Sequence, residues 1–254
     1  MLACPTLETR PHAGHSSITV GTRVFCLHMK LRFRFLAIAV ASVLCAAVLP
    51  LAACSAGTTS ARGANQSGAR TPAHPVVAIG DSITGGHGLA PDDAWPILVA
   101  RKRGWALTNL GTDGAGFSAP GASGETYDDQ VADAADLHPD FVIISGSDND
   151  IGQPADLATI TTSAMTKLRA ALPDATIIAT SAIGPSYPSS LLKQVDTRVR
   201  AATLKVHGIY LDIGEPLKGR AGMLQSDGEH PTAAGQRVLA DAIEAALTAA
   251  NVDE

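Results

Sequence analysis

Residues 76–88 read Val76-Val77-Ala78-Ile79-Gly80-Asp81-Ser82-Ile83-Thr84-Gly85-Gly86-His87-Gly88. Five aliphatic or small residues run without polar alternation and stop at a turn rich in Gly and Asp. An unbroken apolar run of this length suits a strand buried on both faces, the situation of a parallel sheet covered by helices. The stretch therefore predicts a strand over Val76–Gly80 that enters a helix through a tight turn, with Ser82 on that turn.

Further runs of the same kind predict strands over Ala106–Leu110, Phe141–Ser145, Ala175–Thr180 and Gly208–Asp212. Between them Leu157, Ile160, Ala164 and Leu168 recur at helical spacing, as do Leu192, Val195, Val199, Ala202 and Val206. Each set is expected to cover a face of the sheet. A last helix is predicted to begin near Pro231-Thr232 and to dock Leu239, Ile243 and Leu247 back onto the strands. The result is an α/β domain built on a five-stranded parallel sheet. Ligands of such sheets bind outside the carboxyl ends of the strands, so the chemistry should lie just after each one.

Four strand ends carry candidates. After the first, Ser82 offers a hydroxyl beside outward-pointing backbone N–H groups. After the second, Asn109-Leu110-Gly111-Thr112-Asp113-Gly114 offers glycines whose N–H groups can approach a substrate, either Gly111 or Gly114. After the third, Gly146-Ser147-Asp148-Asn149-Asp150 offers an Asn amide. Before the last helix, Asp227-Gly228-Glu229-His230-Pro231 offers an imidazole with an acid three residues earlier. A Ser hydroxyl becomes a good nucleophile only when a base takes its proton, and that base works best when an acid holds its other ring nitrogen. Asp227 is the preferred acid; Glu229 competes, but adjacent side chains usually diverge. Each segment alone is ordinary turn chemistry, whereas the four together supply nucleophile, donors and base at one edge. His87 is set aside as a solvated loop residue.

With these blocks in place the sequence resembles the SGNH hydrolases, also called GDSL esterases or lipases, over Val76 to Leu247. The family's Ser, Gly, Asn and His fall on Ser82, Gly114, Asn149 and His230, its Asp on Asp227, and its Trp after the nucleophile on Ala94-Trp95-Pro96. The resemblance implies a flavodoxin-like three-layer fold with strand order 2-1-3-4-5. It also implies ester hydrolysis through an acyl-enzyme, with an oxyanion hole formed by Ser82, Gly114 and Asn149. One departure stands out: where the family's third block carries Gly, this chain has Ser147, with Gly146 one residue earlier.

The remaining sequence bounds the function. The chain has 254 residues, 46% hydrophobic, enough for one sizeable core but not two. A net charge of −5 without an extended basic block beyond the N-terminal third gives no footprint for nucleic acid. Gly85-Gly86-His87-Gly88 matches neither nucleotide-binding spacing, and no His/Asp/Glu cluster has metal-ligand spacing, so neither metal nor organic cofactor is expected.

Residues 29–53 join a basic start, Met29-Lys30-Leu31-Arg32-Phe33-Arg34, to an apolar run over Phe35–Ala53, the pattern of a secretory signal. The run ends in Leu51-Ala52-Ala53-Cys54, which resembles a bacterial lipobox and implies a lipid anchor at Cys54; plain secretion or an uncleaved anchor are the alternatives. Residues 1–28 look like no targeting segment, so translation from Met29 is an alternative to Met1. Residues 54–75 are small, polar and Gly-rich, a tether before the domain at 76–254. Cys4, Cys26 and Cys45 precede the proposed cleavage, so no thiol pair is expected in the mature chain.

The expected substrate is a short acyl ester, such as an O-acetyl group on a glycan, with longer fatty-acyl esters as runner-up. The segments Ala115–Ser123 and Ala182–Ser189, including Tyr187, are expected to line the acyl pocket without forming a lid. A monomer is expected. The competing class is a non-catalytic, envelope-binding lipoprotein on the same fold.

Overall fold

The computed structural model describes residues 73–153 and 156–252. The signal segment, Cys54 and nearly all of the tether lie outside the described residues. Eleven labelled elements follow in order: β1 (Pro75–Ile79), α1 (Ser82–Gly85), α2 (Trp95–Arg103), β2 (Ala106–Asn109), α3 (Tyr127–Leu137), β3 (Phe141–Ser147), α4 (Leu157–Ala171), β4 (Thr176–Ile183), α5 (Ser189–Lys205), β5 (Ile209–Leu211) and α6 (Ala233–Ala249).

The strands form one parallel sheet in the order β2-β1-β3-β4-β5, as expected. Val76, Val77, Ala78 and Ile79 of β1 are all buried, which is why the run shows no polar alternation. Pro75, read from sequence as the end of the tether, is the first residue of β1 and pairs with Ala106.

One core joins β1, β3 and β4 to α3, α4 and α5 through Val77, Ile144, Val131, Met165, Leu168, Val195 and Val199. The other joins the opposite face to α2 and α6 through Val76, Ile143, Ile178, Trp95, Val99, Leu239, Ile243 and Leu247. The two helices predicted from periodicity thus share one face. The cause is topological. From β2 the chain crosses β1 to β3 and then steps outward to β4 and β5, and right-handed crossovers in a constant direction keep α3, α4 and α5 on one side. The β1-to-β2 step runs the other way and puts α2 opposite.

Two strands are longer than expected. β3 continues to Ser147 and β4 to Ile183, with a register irregularity at Ser145/Gly146. A Cβ at Gly146 would lie 2.8 Å from the Ala182 backbone nitrogen, so the missing side chain permits this close approach. The extension carries residues 148–150 to the sheet's carboxyl edge. α6 starts two residues later than expected: Pro231 pairs with Leu224 in an isolated bridge, and Thr232 is the N-cap, its hydroxyl accepting from the Gly235 N–H at 3.2 Å.

Candidate active site

The turn after β1 is built by Asp81. This buried N-cap accepts the N–H groups of Ile83 at 3.0 Å and Thr84 at 3.2 Å through Oδ1. That fixes Ser82 as the first residue of α1, where its own N–H has no intrahelical acceptor. Burial pushes the Asp81 carboxyl up to about 6, against the hydrogen bonds from Ser147, Thr84 and Ile83 that favour its charge.

The loop between β5 and α6 brings His230 to this turn. Its Nδ1 lies 2.9 Å from Asp227 Oδ2 and its Nε2 lies 3.0 Å from Ser82 Oγ. An ionised carboxylate only accepts, so Nδ1 carries the proton and Nε2 presents its lone pair to the Ser82 hydroxyl. The other Asp227 oxygen accepts the N–H groups of Glu229 at 2.9 Å and His230 at 3.0 Å. The Glu229 N–H, then the His230 ring and the His230 N–H, hold the Asp227 carboxyl down to about 2. Glu229, the competing acid, contributes its backbone rather than its side chain. A hydroxyl, an imidazole and a carboxylate in this series can move a proton off the hydroxyl as it attacks.

The candidate donors also meet here. Gly114 is left-handed, with φ of 76°, and among the described residues its N–H has no hydrogen-bond partner. The Gly111 N–H is occupied, donating to Asn109 Oδ1 at 3.1 Å. Asn149 is partly buried, and its Nδ2 donates to the Ala115 carbonyl and to Ser147 Oγ, both at 3.1 Å. One of these bonds must be given up before that amide can serve a substrate oxygen. Ser147, the departure from the family's Gly, is what organises this corner. Its hydroxyl faces Asp81 Oδ2 at 2.8 Å and the Ala115 carbonyl at 3.1 Å, and it accepts from the Asn149 backbone N–H at 3.2 Å.

Asp150 and Asp148, not singled out from sequence, and His87, set aside there, also lie at the site. Asp150 is buried and accepts from the Phe117 N–H at 2.8 Å, the Ser118 N–H at 2.9 Å and the Ser118 hydroxyl at 3.0 Å, clamping the loop after Gly114. Asp148 is also buried, with no partner for its Oδ2 among the described residues. Burial, then the charges of Asp81 and Glu229, push its carboxyl up to about 8. His87 stacks on His230, ring centroids 4.2 Å apart. The glycines flanking His87 marked a turn, but nothing in the sequence indicated which way that turn faces. Tyr187 packs half-buried against the core beside α5, and burial raises its hydroxyl's pKa.

The fold and these motifs can be compared with known proteins. A GDSL lipase of Mycobacterium tuberculosis is 29% identical over 187 residues, covering 67% of this chain and 80% of the relative. The crystal structure of TesA is similar with a TM-score of 0.57 at 22% identity, over 69% of this chain and 99% of that one. The psychrotrophic esterase EstA from Pseudoalteromonas sp., solved inhibited by monoethylphosphonate, is similar with a TM-score of 0.57 at 18% identity, over 69% of this chain and 97% of that one. At these identities the two structures establish the fold. The model of the GDSL-like lipase/acylhydrolase family matches residues 78–238, spanning β1 to α6. The chain therefore belongs to the GDSL-like lipase/acylhydrolase family, the SGNH hydrolases, whose members are esterases and acylhydrolases.

Proposed function

We propose that this chain is a serine esterase that removes short acyl groups through a covalent acyl-enzyme. The observation that carries the reading is the unbroken series Asp227–His230–Ser82, with contacts of 2.9 and 3.0 Å. Ser82 Oγ attacks the ester carbonyl as its proton passes to His230 Nε2, and Asp227 stabilises the imidazolium that results. The new C–O bond gives a tetrahedral oxyanion, held by the N–H groups of Ser82 and Gly114 and by one Asn149 amide proton. Its collapse expels the alcohol, which takes the proton back from His230. Water, deprotonated by the same imidazole, then attacks the acyl-enzyme, and the acid and the free Ser82 hydroxyl are regenerated.

The preference for short acyl groups rests on the Asp150 clamp. A loop held by three hydrogen bonds to one buried carboxylate, with Ala115 and Phe117 packed inward, resists opening for a long chain. Acetylated glycans are the substrate class we favour. The M. tuberculosis relative is named as a lipase, and that name favours longer acyl esters as the second reading. A series of p-nitrophenyl esters from acetate to palmitate separates the two: kcat/KM falling with chain length supports the first, and rising with it the second.

A fluorophosphonate probe tests the serine reading itself. Ser82 Oγ should displace fluoride from phosphorus and form a P–O bond that blocks turnover. A chain that stays unlabelled is a binding lipoprotein instead. We further propose that the chain is exported and anchored by lipid at Cys54; loss of membrane association in Cys54→Ala is the expected result, and unchanged association would contradict it.

A further inference from the structure

His87 leaves the nucleophile turn and lies face to face with His230, ring centroids 4.2 Å apart and planes 29° from parallel. Its Nδ1 lies 2.6 Å from Asp113 Oδ2, and Asp113 immediately precedes Gly114. Its carbonyl accepts from Gln225 Nε2 at 2.8 Å, and Gln225 also bonds the Pro231 carbonyl at 3.0 Å, just after His230. One residue therefore ties together the turn bearing Ser82, the loop bearing Gly114 and the loop bearing His230. A solvated surface histidine, with 42% of its side chain exposed, has no need of three such attachments.

We propose that His87, anchored by Asp113, is a positioning residue that backs the His230 ring and holds it toward Ser82. The proposal rests on the reading of Ser82 and His230 as nucleophile and base. An imidazole hydrogen-bonded at one edge and stacked on one face cannot swing away from Ser82, and near-attack geometry is where small misplacements are expensive. The His87 ring presents a π face to the imidazolium that forms during attack.

The test measures acetate release from p-nitrophenyl acetate at pH 8 for the native protein, His87→Ala, His87→Phe and Asp113→Asn. At pH 8 His87→Ala should lose kcat on the order of tenfold, with KM changed less than about twofold. His87→Phe should restore most of the loss, because it keeps an aromatic face. Asp113→Asn, which keeps the ring but weakens its anchor, should fall between native and His87→Ala. If His87→Ala keeps its kcat, if Phe does not restore it, or if Asp113→Asn is as active as native, the proposal is wrong. None of these outcomes bears on Ser82, whose role fails only if Ser82→Ala retains turnover.

Discussion

The Ser147 hydroxyl donates to Asp81 Oδ2 at 2.8 Å, so the residue that departs from the family's glycine supports the carboxylate capping the nucleophile turn. The same hydroxyl accepts from Asn149, so nucleophile and amide share one hydrogen-bond hub. Ser147→Ala should destabilise the domain by about 1–3 kcal/mol, the cost of leaving a buried acceptor short of a donor. The loss should depend on pH. A buried carboxyl whose pKa is raised to about 6 in the folded state adds stability at pH values below its unfolded pKa and loses it as pH rises through about 6. Without Ser147 that value climbs further, so urea unfolding should show a larger deficit at pH 8 than at pH 5.

Asp148 gives a second pH dependence on the alkaline side. Its folded value of about 8 means that the protonated acid is the form the fold tolerates, and stability is lost as pH rises through about 8. Asp148→Asn keeps the shape and removes the charge. Thermal melts should show the variant a few degrees more stable than native at pH 9, with the difference shrinking toward pH 6.

Asp227 behaves in the opposite sense. Its carboxyl, held down to about 2, stays charged throughout the working range. Asp227→Asn should lower kcat by about a hundredfold or more, because the amide can no longer fix the tautomer of His230. Steady-state kinetics at pH 8 measures this, and a variant within threefold of native would remove Asp227 from the mechanism.

Asn149 spends its Nδ2 protons on Ala115 and Ser147 in the resting structure. An oxyanion donor that engages only in the transition state affects kcat, not ground-state binding. Asn149→Ala should therefore lower kcat by about 10²–10³ with little change in KM. A change confined to KM would make it a substrate-binding residue.

That Ser82, His230 and Asp227 come together was legible in the sequence because each lies in a short block at a strand end, and parallel strands deliver such ends to one edge. The elements that escaped reading have physical reasons. α2 reads Trp95-Pro96-Ile97-Leu98-Val99-Ala100-Arg101-Lys102-Arg103, an apolar run followed by a basic run, with no helical alternation to detect. α3 is mostly Asp and Ala, its buried stripe of Tyr127, Val131 and Ala134 is short and shared with Gln130, and its clearest signal is the capping box of Thr126 and Asp129. Spacing told which side of α4 and α5 is buried, not which side of the sheet they cover, since that depends on strand order. His87 is an exposed loop residue, as expected, but its stacking on His230 was not legible, because a flanking pair of glycines marks a turn without giving its direction.

The account depends on a working Ser82 hydroxyl 3.0 Å from His230 Nε2. The most direct test is the turnover of p-nitrophenyl acetate by Ser82→Ala, with circular dichroism and thermal melting verifying that the domain remains folded. The account predicts a folded variant whose turnover falls to within a few fold of the uncatalysed background. A folded Ser82→Ala with undiminished turnover would contradict it.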